Sequence, residues 1–118
     1  MATASSLKGA GTQNAYDAIA ASQTDSALVA AVPGRKIRVL SFMINQGDTT
    51  PSSVTFNSKP AGSGTAIFPV LKYPANGGTS TPEVLSGWFE TVAGEGLSVT
   101  TGAGSATSVA VVYTLVTG

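Results

Sequence analysis

The chain has 118 residues, six basic and six acidic, so its formal net charge is zero and only 10% of it is charged, against a usual ~25%. That length holds one domain with a sizeable core, and the missing charge excludes an electrostatic footprint for nucleic acid or an anionic membrane. The absence of cysteine and histidine removes disulfides, thiolate nucleophiles, zinc–thiolate and iron–sulfur centres, the commonest general base and Ser-His-Asp catalysis. With 42% apolar residues and 14 glycines, the surface has to be built from Ser, Thr, Gly and Ala, and such a surface favours association.

Residues 1–13 are small and polar without periodicity, and are expected to form a flexible arm that orders only against a neighbouring subunit, with Leu7 as its one apolar anchor and Lys8 as its one charge. This segment lacks the apolar core of a secretory signal, and an apolar run such as Val109-Ala110-Val111-Val112-Tyr113 is too short to span a bilayer. A chain made and used as a soluble product of the cytosol is the expectation, with the folded domain over residues 14–118. Tyr16-Asp17-Ala18-Ile19-Ala20-Ala21 fits a helical turn or a strand equally well. Ala27-Leu28-Val29-Ala30-Ala31-Val32 reads as a strand. Val32-Pro33-Gly34-Arg35 follows as a type II turn, since Pro fixes a negative φ and Gly accepts a positive one, and it predicts a hairpin.

The strongest strand comes next, Lys36-Ile37-Arg38-Val39-Leu40-Ser41-Phe42-Met43-Ile44-Asn45, alternating at first and then apolar on both faces, as a strand entering a covered interior does. It ends at Gln46-Gly47-Asp48. Ser53-Val54-Thr55-Phe56-Asn57-Ser58 alternates with Val54 and Phe56 inward, and the apolar run 65–71 carries Pro69, which assigns it to an edge or a bulge. Beyond the turn Asn76-Gly77-Gly78, strands are predicted at 79–81, 87–91, 97–101 and 108–116, each bounded by glycine.

Eight short strands and no segment of helical length predict an all-β antiparallel sandwich, and their number suggests a jelly roll. An immunoglobulin topology is the competitor, without the Cys…Trp…Cys spacing it often carries. The expected core is Val39, Phe42, Ile44, Val54, Phe56, Ile67, Phe68, Trp88, Val99 and Val111, the bulky residues at strand positions.

Few residues offer chemistry. Glu90 and Glu95 flank the turn Thr91-Val92-Ala93-Gly94, where a glycosidase pair or a calcium site could arise, but two acids without a dense acidic loop read as solvated hairpin-tip residues. Asp17, Asp25, Asp48 and Glu83 read as isolated. Arg35, Lys36 and Arg38 form the one basic cluster, read as an edge guard or a rim of salt bridges to a partner rather than as a phosphate site. Gly62-Ser63-Gly64 and Gly102-Ala103-Gly104-Ser105 lie between strands and read as turns, since phosphate-cradling loops open a helix. Trp88, Phe89 and Tyr113 would make a sugar-stacking platform, yet core packing is the simpler use of so few aromatics.

The string Ala31-Val32-Pro33-Gly34-Arg35-Lys36-Ile37-Arg38-Val39-Leu40-Ser41, with Asn76-Gly77-Gly78, Gly87-Trp88-Phe89-Glu90-Thr91 and Gly94-Glu95-Gly96-Leu97 after it, resembles a pattern of small virion proteins of tailed bacteriophages, most of all capsid decoration (cement) proteins. The resemblance spans residues 27–116, and the residues that carry it belong to turns and core. It implies a jelly roll on the outer surface of the virion capsid, a homodimer or homotrimer that braces major capsid protein subunits, with no catalytic residue, cofactor or metal. The alternative is a tail-fibre or head-fibre knob or a carbohydrate-binding module for a host receptor. The bottom-up reading points the same way, to a non-enzymatic structural protein, because residues 96–118 hold no charge at all and offer surface for close assembly. The interface residues to expect are Leu7, Lys8, Arg35, Lys36 and Arg38.

Overall fold

A computed structural model describes residues 11–47 and 49–117, so that Leu7, Lys8 and most of the expected arm lie outside the described residues, as does Asp48. Within them the strands are β1 Thr12–Ile19, β2 Ser26–Val29, β3 Arg35–Asn45, β4 Ser52–Lys59 and β5 Thr65–Ala66. They continue as β6 Leu71–Tyr73, β7 Gly78–Ser80, β8 Phe89–Glu90, β9 Gly96–Thr101 and β10 Thr107–Thr117. All pairings are antiparallel. The first sheet runs β1-β10-β3-β7 with β8 also on β3, and the second runs β2-β9-β4-β5 with β6 also on β4. From β1 to β4 the chain changes sheet at every connection, and β10 returns to lie between β1 and β3. Two interleaved sets wound in this order form a jelly-roll sandwich.

The core follows from alternation. Ile37, Val39, Phe42 and Ile44 of β3 point inward against Val54 and Phe56 of β4, Leu97 and Val99 of β9, and Val109 and Val111 of β10, all of them buried. Phe56 is fully buried, and its ring lies 5.4 Å from Phe42 and 4.8 Å from Phe89, inside the range in which aromatic pairs attract. Ile67 and Phe68 are half-buried against this cluster. Trp88 departs from the expectation. It is 37% exposed, touches Phe42 edge-on and donates its indole N–H to the Pro82 carbonyl at 3.0 Å, so it closes the side of the aromatic cluster instead of sitting within it.

Gly34 has φ +72° and Arg35 N–H donates to the Val32 carbonyl at 3.1 Å, so the Pro-Gly turn forms. It joins no hairpin: β2 pairs with β9 and β3 with β10, and the turn carries the chain from one sheet to the other. Pro69 falls in a gap that splits the expected strand into β5 and β6, both at the edge of β4, because proline cannot donate to the ladder. The ambiguous N-terminal stretch becomes β1, which starts at Thr12 and so takes in the last two residues assigned to the arm. In β3 a bulge skips Leu40, since Val112 faces Ser41 and Tyr113 faces Val39, and the skipped residue keeps both halves of the strand apolar toward the core.

Candidate interaction surface

Registers fix what the first sheet shows on its outer side. Tyr16, Ala110, Met43 and Ser80 form a row across β1, β10, β3 and β7. On one side of it lies the row Asn14, Val112 and Ser41, and on the other Ala18, Ser108 and Asn45. Tyr16 is 83% exposed and Met43 is 53% exposed, and together they make a ridge with the small Ala110 between them. Open depressions of about 340 and 400 Å³ flank this ridge, and Tyr16, Ala110 and Met43 border both. Among the described residues that line them, Asp17 at the β1 edge is the one side chain charged at neutral pH.

Charge returns at one end of the same face. Arg38 faces Glu90 across β3 and β8, and its Nε–H donates to Glu90 Oε2 at 2.5 Å, while Lys36 Nζ lies 4.0 Å from Glu90 Oε1. The sequence-based edge guard is corrected here, because β3 has β10 on one side and β7 and β8 on the other. Lys36 and Arg38 are joined through Glu90 and border the uncharged rows, and Arg35 opens β3 in an exposed position opposite Thr117.

The outer side of the second sheet is built differently. Asp25, just before β2, has φ +51°, a left-handed conformation that Asp tolerates through local hydrogen bonds. Its carboxylate accepts the Gly64 N–H at 3.0 Å, the Asn57 amide at 3.1 Å and the Ser98 hydroxyl at 3.0 Å, and its own N–H donates to Thr100 Oγ1 at 3.1 Å. Asp25 is thus not the isolated acid that the sequence suggested. The Gly64 N–H above all, then the Ser98 hydroxyl, the charge of Lys59 and the Asn57 amide, hold its pKa below the ordinary 3.8, against desolvation, which acts the other way. Glycine at 64 permits this close approach, since a Cβ there would run into Asp25 Oδ1 and push the carboxylate aside.

The two glutamates of the expected hairpin tip are held by different sheets. Glu90 belongs to the ion pairs on β3, whereas Glu95 accepts the Ser58 hydroxyl of β4 at 2.7 Å, and Ser58 Oγ in turn accepts the Val92 N–H at 2.9 Å. Among the described residues no group of three His, Cys, Asp or Glu side chains suits a metal ion. Both glycine-rich loops are connections, from β4 to β5 and from β9 to β10. Of the aromatic platform, Phe89 is buried, Trp88 caps the cluster and Tyr113 packs on the core with its hydroxyl donating to Gln13 Oε1 at 3.1 Å.

The sequence reading did not select Tyr16, Met43, Ala110 or Val112. Their signal was present in Met43, Ala110 and Val112, apolar residues on the second faces of the strands that became β3 and β10, since in a sandwich one face of each strand is already taken by the core. Compared with known proteins, no family model matches the chain and no curated protein does.

Proposed function

We propose that the protein is a non-enzymatic structural component of a tailed-phage virion, a decoration protein that binds major capsid protein subunits as a homo-oligomer and stabilises the shell. The observation that carries this reading is the uncharged outer face of the first sheet, where Tyr16 and Met43 stand exposed over Ala110 and Val112. An antiparallel sheet facing water ordinarily presents polar side chains there, and an exposed apolar patch with a charged border marks a contact surface. The border is supplied by Lys36, Arg38 and Glu90, a place where charges steer and select partners more than they add affinity. The resemblance of its turn and core residues to a pattern of small virion proteins supplies the kind of assembly.

The test is co-sedimentation of the purified chain with phage capsids that lack their decoration protein, followed by calorimetry of the capsids. Co-pelleting and a higher capsid melting temperature are expected. A chain that stays in the supernatant at saturating capsid, or pellets with tails and not with heads, would overturn the capsid role.

A further inference from the structure

We infer that Asp17 guards the free edge of β1, an acid set on the core-facing side of the strand that keeps the β1 of a second copy from adding to the first sheet. The inference goes beyond the proposed function and does not rest on it.

The sheet edges are not alike. Among the described residues the first sheet ends in β1 on one side and in β7 and β8 on the other, and the second ends in β2 and in β5 and β6. β5 and β8 have two residues each and β6 and β7 three, with Pro69 in the break between β5 and β6 and Pro82 in that between β7 and β8. β2 has four residues and a shift of register against β9. Short strands, prolines and bulges each keep an edge from accepting another strand. β1 has none of these, since its eight residues pair with β10 in an unbroken register and include neither proline nor glycine. Its other side presents a row of backbone N–H and C=O groups that no strand covers among the described residues.

What β1 has instead is Asp17. Residues directly opposite in an antiparallel pair share one face of the sheet, and Asp17 lies opposite Val109, which lies opposite Ile44. Val109 and Ile44 are buried in the core, so Asp17 continues a core-facing row, and its neighbours on that side of β1 are Ala15, packed on the core, and the buried Ile19. Asp17 itself is exposed, because the row ends with the sheet. Both salt bridges among the described residues end on Glu90, so the charge of Asp17 serves no ion pair in the fold.

Closing this edge is costly while the acid is there. A strand added beyond β1 would set side chains beside Asp17 on the core-facing side and take its carboxylate out of water, and an unpaired carboxylate is among the most expensive groups to bury. With the antiparallel β1 of a second copy, two such carboxylates come to the same side of the joined sheet and repel. Without Asp17, Thr12–Ile19 would be a strand free of charge, proline and glycine, which is the composition of segments that add to their own copies.

The test compares the full-length wild type with Asp17→Val and Asp17→Lys by sedimentation velocity and by amide hydrogen exchange in dilute and concentrated samples. Asp17→Val should form larger species than the wild type does at the same concentration. Its β1 amides that point away from β10 should exchange at least about tenfold more slowly in the concentrated sample than in the dilute one. In the wild type and in Asp17→Lys, which keeps a charge at the position, those amides should exchange equally fast in both. If circular dichroism shows Asp17→Val unfolded, Asp17→Thr removes the same charge with a residue that suits a strand and is read in the same way. An uncharged variant that stays the size of the wild type, or that associates without slowing those amides, overturns the inference. So does concentration-dependent slowing of the same amides in the wild type or in Asp17→Lys.

Discussion

The two sheets share one core and have opposite exteriors. On the second sheet, polar side chains are engaged with one another: Asp25 gathers Gly64, Asn57 and Ser98, and the Asn57 amide also reaches Thr100 Oγ1 at 2.8 Å. On the first sheet, Tyr16 and Met43 project into solvent over Ala110 and Val112. The same β alternation produces both, so the difference lies in what each outward position was given. Outward polar residues that bond within the fold serve the fold, whereas outward apolar residues gain nothing from it and are the ones the proposed contact would use.

Mutations should separate these duties. Phe56→Ala strikes the core beneath both exteriors and should cost about 3–5 kcal/mol, measured by chemical denaturation. A melting temperature unmoved by that change would place Phe56 at the surface and break the comparison at its base. Asp25→Ala removes the acceptor shared by three donors on the second sheet and should cost about 1–3 kcal/mol, because those donors lose their partner.

The same residue gives a pH signature. Its carboxyl titrates lower in the folded chain than in the unfolded one, so its contribution is fully present above the ordinary 3.8 and is lost as pH falls through the folded value. Urea midpoints measured from about pH 5 down to about pH 2 should therefore fall less steeply in Asp25→Asn than in the wild type. Glu90→Gln, which weakens the bridge to Arg38 and Lys36 at the border of the first sheet, should cost at most about 1 kcal/mol and less at high salt. Tyr16→Ser should be the smallest, within about 0.5 kcal/mol of the wild type in thermal unfolding, since an outward residue of the first sheet takes little part in the fold. A larger loss would mean that Tyr16 supports the monomer, and the contrast between the exteriors would narrow.

Much of this was legible in the sequence where the information is local. Val54 and Phe56 declare their inward face by alternation, and Pro69 announces a broken edge because it has no N–H to donate. Topology is not local. Val32-Pro33-Gly34-Arg35 specifies a chain reversal in its own dihedrals, but which sheet β3 joins depends on β10, far along the chain. The pattern of residues 16–21 satisfies either period, and pairing with β10 as far as Ile19 decides for a strand. Asp25 looked solitary because its partners Asn57, Gly64 and Ser98 lie 32, 39 and 73 residues away. The candidate surface was half legible: Met43 and the run Val109–Tyr113 put apolar residues on the second face of two strands, and only the registers show that Tyr16, Ala110 and Met43 align in one row.

The place of β10 in the first sheet also orders events in time. Thr114 Oγ1 donates to the Gly11 carbonyl across 103 residues of sequence, and β1 has no neighbour in its sheet other than β10 among the described residues. During synthesis β1 must therefore wait, unpaired in its sheet, until β10 has left the ribosome and slid between it and β3. Ala110 and Val112 arrive with that strand, so the ridge and its flanking depressions come into being only once β10 has been made. A product cut short before β10 would carry Tyr16 and Met43 without the strand that aligns them, and would lack the ridge altogether.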